Sequence, residues 1–229
     1  MQPPQEINFK RAVRRHASAR LAIDGPSGAG KTYTALIAAQ ALADGNPIAV
    51  LDTEHGSASL YSDFFQFDVF ELDNYDPRLY TRAISTAEKA GYSVIVIDSL
   101  SHAWEGKGGA LDQLNKVAKR SYSGSTFAAW KDITPLQRSL VDAMLSSSSH
   151  IIATMRSKMD YLQEKDKKSG RTIIRKVGMA PVQRQGIEYE FQVVADMDIE
   201  HNLVIAKTRC KLLDGAVINC PTSEFFKPY

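Results

Sequence analysis

Residues 25–32 read GPSGAGKT, a run of the form GxxxxGK[ST] lying between an apolar stretch and a segment of helical periodicity. Gly25, Gly28 and Gly30 let the backbone curl so that successive N–H groups turn inward, which builds an anion cradle. Lys31 supplies a point charge for β- and γ-phosphates, and the Thr32 hydroxyl is a ligand for Mg²⁺. Pro26, Ser27 and Ala29 complete the loop, and Tyr33 follows it. A helix that begins here adds the positive end of its dipole to the same site. Such a loop belongs between a strand and a helix, so the expected fold is α/β and the expected cofactors are ATP and Mg²⁺.

The rest of the chain agrees with that placement. ARLAID (19–24) reads as a buried strand, and KTYTALIAAQALADG as a helix stopped at Gly45. PIAVLD (47–52), DVFELD (68–73), YSVIVID (92–98) and HIIATM (150–155) are further strands. Helices are expected over 77–91, 110–120 and 127–146. EYEFQVVADMDIE and NLVIAKTR suggest a closing β-hairpin with His201 and Asn202 at its turn. The order predicts a mostly parallel central sheet flanked by helices, with a C-terminal β-hairpin. One domain over 19–229 follows a basic N-terminal segment, 1–18, that carries Lys10, Arg11, Arg14 and Arg15. In such sheets ligands bind beyond the carboxyl ends of the strands, where every polar cluster below falls.

Composition excludes rather than selects. A net charge of +2 is too small to argue for nucleic acid by itself, and 44% hydrophobic residues describe a folded globular chain. No apolar run approaches a membrane span, and the N-terminus lacks the apolar core of a signal peptide, so a cytoplasmic protein is expected. Cys210 and Cys220 have no metal-ligand spacing and read as ordinary thiols.

Two carboxylates stand out. Asp98 closes the apolar run VIVID, where it would hold Mg²⁺ through water. Glu54 follows the second strand in AVLDTEHGSASLY, within reach of a γ-phosphate, where it can orient and deprotonate an attacking water. Ser99 rather than a glutamate follows Asp98, so a base adjoining the metal carboxylate is missing and Glu54 is the best candidate for that work.

With these residues in place the chain resembles the RecA-type recombinase core over roughly 19–215. The Asp52-Thr-Glu-His55 run is similar to that family's signature, in which the glutamate is the catalytic base. Asp98-Ser99 matches its metal strand. In HIIATMRSK, the resemblance puts a γ-phosphate sensor at Thr154 or Arg156, followed by a DNA-binding loop. It also implies that Lys207 and Arg209, in AKTRCK, reach the ATP of a neighbouring protomer. The detailed motifs look most like phage-encoded RecA-like ATPases, part of which act in single-strand annealing, so a host cytoplasm would be the setting. The implied activity is a DNA-stimulated ATP hydrolase of a ring or filament, with single-stranded DNA and a single-strand DNA-binding protein as partners. Phe9-Lys-Arg-Ala12 matches a short oligomerisation peptide of the family, but the favoured reading is an N-terminal helix packed on its own domain.

The segment 156–176 reads as a mobile basic loop. It carries Lys158, Lys165, Lys167, Lys168, Arg171, Arg175 and Lys176, with Tyr161 available to stack on a base. A solvated charged loop is the plain alternative. Trp104 and Trp130 are expected in core packing. Competing readings are a P-loop small-molecule kinase, an AAA+ motor or helicase loader, and a nucleotide-gated DNA-binding module with little turnover. The kinase gives Glu54 no role, and the motor normally needs an Asp-Glu pair at the metal strand.

Overall fold

The computed structural model describes residue 11 and residues 18–120, 125–165 and 172–227, with side chains from 160 to 177 outside the description. Among the described residues nine strands form the sheet system: β1 (Arg20–Gly25), β2 (Ile48–Asp52), β3 (Asp68–Glu71), β4 (Val94–Asp98), β5 (His150–Lys165), β6 (Thr172–Pro181), β7 (Val193–Met197), β8 (Asn202–Thr208) and β9 (Val217–Asn219). The helices are α1 (Lys31–Ala43), α2 (Pro77–Lys89), α3 (Ser101–Glu105), α4 (Ala110–Arg120), α5 (Thr126–Ser146) and α6 (Ser223–Phe226). The order across the main sheet is β3-β2-β4-β5-β1-β7-β8-β9. From β3 to β7 every pairing is parallel, and β8 and β9 close the sheet antiparallel. The α/β class, the mostly parallel sheet and the antiparallel C-terminal strands are as the sequence predicts.

Both faces of the central strands are covered, which is why β1, β2 and β4 read as unbroken apolar runs. Leu21, Ile23, Val50 and Val96 face α1, whose Ala35, Ala38, Ala39 and Ala43 let the helix lie close to the sheet. Ala22, Leu51, Ile95 and Ile97 face the opposite layer, built from α2 and α5 through Tyr80, Ile84, Leu140 and Met144. Each such large side chain contributes about 1.5–3 kcal/mol on burial. The α2 helix starts where Asp76 accepts a hydrogen bond from Arg78 N, with Pro77 at its first position. Trp104 and Trp130 stack at 5.8 Å and pack against a third cluster between α4 and α5.

The segment expected as a basic loop is different. Strand β5 runs straight out of the sheet: residues 151–156 pair with β1, and residues 157–165 pair antiparallel with β6. The backbone on either side of residues 166–171 is therefore a two-stranded ribbon. The charge density misled because such a ribbon needs no apolar face; its N–H and C=O groups satisfy one another across the pair. Lys167, Lys168 and Arg171 lie outside the described residues, as do Phe9 and Ala12 and most of segment 1–18. Lys165, Arg175 and Lys176 are on ribbon strands, and Lys158 at the ribbon base is exposed. The expected hairpin at the C-terminus is β7–β8, but its first part, around residues 187–189, is a 3-10 turn rather than strand.

Candidate nucleotide site

Strands β1, β2 and β4 end on one edge of the sheet, where β5 leaves it, and a cavity of about 1340 Å³ opens there. The glycine loop joins β1 to α1. Gly28 and Gly30 have φ of 80° and 90°, the left-handed region that glycine enters at least cost. Gly30 sits at the N-terminus of α1, and no side chain caps it. The first N–H groups of α1 are thus left for an anion. Lys31 Nζ donates to Pro26 O at 2.8 Å, and burial holds its ammonium below the usual lysine range against the opposing pull of Asp98 and Glu54. Ser27 and Tyr33 line the cavity, and Ala29 is fully buried beneath it.

Asp98, 2% exposed, closes β4. Its Oδ2 accepts from Thr32 Oγ1 at 2.6 Å and its Oδ1 from Thr154 Oγ1. Burial pushes this carboxyl up, and the two hydroxyls pull it back only in part. Strand β5, inserted between β4 and β1, carries Thr154 and so sets it under Asp98. Thr154 is completely buried and supports the Asp98 carboxylate, whereas Arg156, two residues on, is exposed.

Arg156 forms a fork on Glu54, with Nε to Oε1 at 3.0 Å and a terminal nitrogen to Oε2 at 2.6 Å. Burial raises the Glu54 carboxyl, but the hydrogen bonds and charge of Arg156 outweigh it and leave it below the usual range. Glu54 and Arg156 both line the cavity with Lys31, Thr32 and Asp98. The sequence reading did not foresee the Glu54–Arg156 pair.

It also missed what holds Glu54 in place. Asp52 Oδ1 accepts from Glu54 N at 2.6 Å and Oδ2 from Ala58 N at 3.0 Å, so the loop is wound around one buried carboxylate. The signal was present: an aspartate bonding the N–H two residues on is an Asx turn. Beneath it Thr53 N donates to Asp98 O at 2.7 Å, and Thr53 Oγ1 lies 2.7 Å from His102 Nδ1. Burial, then the charge of Arg156, keeps the His102 imidazole below its usual pKa. On the other side Ser157 Oγ donates to Asp24 Oδ1 at 2.9 Å. Burial and then the neighbouring Asp196 push Asp24 up to about 7.

Beside the phosphate loop the cavity wall is aromatic. Tyr33 meets Tyr61 and Phe65 edge-on at 5.5 and 5.3 Å, and Phe64, Ile37 and Gln40 extend the wall. Cys220, Pro221, Thr222 and Ser223 complete it.

Lys207 and Arg209 are not in this cavity. Lys207 Nζ is taken up by the carbonyls of Glu188, Tyr189 and Phe191 at 2.8, 2.9 and 2.8 Å. Arg209 is exposed at the end of β8.

The residues fit ATP with Mg²⁺. The uncapped helix end and Lys31 suit phosphate, and the Thr32–Asp98 contact is an oxygen pair of the kind Mg²⁺ takes alongside phosphate oxygens. Among the described residues no cluster of three or more His, Cys, Asp or Glu could hold a metal by itself. No described helix is long and apolar enough to cross a membrane.

Comparison with known proteins gives three results. No curated protein matches the chain. Among solved structures, a crystal structure of the RadB recombinase is similar over 90% of this chain and 89% of that chain, at 16% identity and a TM-score of 0.47. A family model described as an AAA domain matches residues 17–214, which includes the glycine loop, Glu54, Asp98 and the ribbon. The family carries the AAA name although Ser99 follows Asp98 where the sequence reading expected such motors to have a glutamate. With nearly the whole chain matched and its phosphate loop intact, the protein belongs to the AAA domain family of P-loop ATPases.

Proposed function

We propose that the chain is a DNA-dependent ATPase of the RecA-like recombination type, which grips single-stranded DNA for annealing or strand exchange. The observation that supports it most is Arg156. It holds both oxygens of Glu54, and the next residue, Ser157, begins the pairing of the basic ribbon. The candidate base and the candidate DNA grip are thus joined through one side chain.

In this reading Lys31 and the N-terminus of α1 gather the phosphates. Thr32 and Asp98 hold Mg²⁺, which when bound supplies charge stabilisation at the phosphates. Glu54 takes a proton from the attacking water once Arg156 turns from it toward the γ-phosphate. Tyr33, Tyr61 and Phe65 cover the base. Lys158, Lys165, Lys167, Lys168, Arg171, Arg175 and Lys176 meet the DNA backbone, so binding weakens steeply with salt. Assembly into a ring or filament would bring Arg209 toward a neighbour's nucleotide, with Lys207 steadying the strand that carries it. The edge strand β3 leaves Val69 and Phe70 exposed for a neighbouring protomer.

One observation favours a second reading, a nucleotide-gated DNA-binding module with little turnover: Glu54 paired on both oxygens is a weak base. ATP hydrolysis with and without single-stranded DNA, on the native protein and on Lys31→Ala and Glu54→Gln, separates the two. Stimulation by DNA that both substitutions abolish supports the ATPase. Tight ATP-dependent DNA binding without turnover supports the module. ATP turnover indifferent to DNA, with only weak DNA binding, would sink both.

A further inference from the structure

We propose that His201 is a positioning residue of the phosphate site, one that fixes the Ala29–Gly30 peptide so that its N–H serves the bound phosphates. The proposal rests on the ATP reading of the cavity.

His201 lies at the turn between β7 and β8, far along the chain from the glycine loop, yet its Nδ1 is 3.0 Å from Ala29 O. A carbonyl can only accept, so Nδ1 carries the proton and donates. The peptide between Ala29 and Gly30 is planar, and in a trans peptide the C=O and N–H point in opposite directions. With the carbonyl held by the imidazole, the Gly30 N–H is turned away from His201, and both residues line the cavity. The fit is close: a Cβ on Gly30 would lie 3.2 Å from His201 Nδ1.

The turn is built to hold the ring there. His201 has a φ of 62°, a left-handed conformation uncommon for a residue with a side chain. The carboxylate of Asp198 accepts from Glu200 N and Asn202 N, both at 2.9 Å, and from Asn202 Nδ2 at 2.8 Å. His201 N donates to Asp198 O at 3.1 Å, and His201 O accepts from Cys220 N at 3.0 Å. Ordering a turn this thoroughly around a left-handed histidine is more than a β-hairpin needs. The ordering delivers a donor to a P-loop carbonyl, that of Ala29. A donor set before the anion arrives needs no reorganisation when it binds.

The test uses two substitutions chosen for that backbone. His201→Gly accepts the left-handed conformation and removes the donor. His201→Asn also tolerates it, and its amide N–H stands near the position of Nδ1. Binding of ATP and of inorganic tripolyphosphate, each with Mg²⁺, would be measured by calorimetry for these, the native protein and Lys31→Ala. The expected result is affinity about tenfold weaker for both ligands in His201→Gly and restored to within about threefold in His201→Asn. Native affinity in His201→Gly, or equal loss in both variants, would overturn the proposal. Failure of His201→Gly to fold would assign the ring to stability instead. If the native protein bound neither ligand, the ATP reading itself would fall, whereas binding lost only in Lys31→Ala would leave that reading standing and remove His201 from it.

Discussion

The guanidinium of Arg156, on β5, grips both carboxylate oxygens of Glu54, just after β2, with contacts of 3.0 and 2.6 Å, although the two strands are not neighbours in the sheet. The pair makes Glu54 easier to ionise and at the same time a poorer base. Removing Arg156 therefore has a signed consequence. As the proposed base Glu54 would act when deprotonated, and with its pKa held low, hydrolysis is expected to fail only at acidic pH. In Arg156→Ala the carboxyl moves back up, so the acid limb of the kcat/KM profile shifts to higher pH, and DNA stimulation is lost. A pH–rate profile of the two proteins checks this; coincident acid limbs would show that Glu54 is not the titrating base.

Glu54→Gln keeps size and removes the proposed base. We expect kcat to fall by about 10²–10⁴-fold while ATP affinity stays within about threefold of native. Steady-state kinetics beside a binding titration would measure both, and a drop of less than tenfold in kcat would exclude Glu54 as base.

Asp52 is expected to matter through the loop that carries Glu54. Asp52→Ala leaves Glu54 N and Ala58 N without their acceptor, at a cost of about 1–3 kcal/mol. Turnover should drop at least tenfold, and the phosphate loop, which Asp52 does not touch, should still bind ATP. Parallel loss of binding and turnover would refute that division.

Asp24 makes stability depend on pH. Its folded pKa of about 7 exceeds the 3.8 of a free aspartate. Its stabilising contribution is therefore complete below about pH 4 and disappears as pH rises through 7. Asp24→Asn should melt higher than native at pH 8, by the equivalent of a few kcal/mol, and the gap should close toward pH 4. A melting series over that range is the measurement, and a pH-independent gap would contradict the assignment.

Lys207 satisfies three carbonyls, and charge-assisted bonds of this kind contribute about 1.5–3 kcal/mol in sum when a partner is lost. Lys207→Met should lower the melting temperature, whereas Arg209→Ala should leave it unchanged and reduce hydrolysis in assembled protein. If instead Lys207→Met lowered hydrolysis with no thermal effect, the two roles would be exchanged.

The sequence made the phosphate loop and the sheet legible for a physical reason. A cradle of glycines before a helix, and strands covered on both faces, leave marks in single residues and short runs. GPSGAGKT and VIVID can be read without any partner. Asp98 stood out because it ends such a run, and Glu54 because it follows one two residues after its end. The ribbon was not, because charged strands paired only with each other carry no burial pattern. His201 and Arg156 were placed in sequence, but their roles depend on contacts 172 and 102 residues away, which no local spacing encodes. Thr154 was expected near the γ-phosphate; that its hydroxyl donates to Asp98 could not be read from its spacing.

Strand β5 limits how any signal can pass through this molecule. Its inner half is bonded to β1 and β4, and a slide of one residue would exchange its two faces, turning Thr154 away from Asp98 and bringing Met155 in. Translation along the strand axis is therefore barred. The permitted movement is a bend or twist just after Arg156, where the strand's neighbours change, and the outer half, from residue 157 to 165, spans about 30 Å at roughly 3.3 Å per residue. A small angular displacement at that point sweeps the far end of the ribbon through many ångströms. Conversely, a load fixed at the far end returns to the Glu54 contact as a torque of long reach.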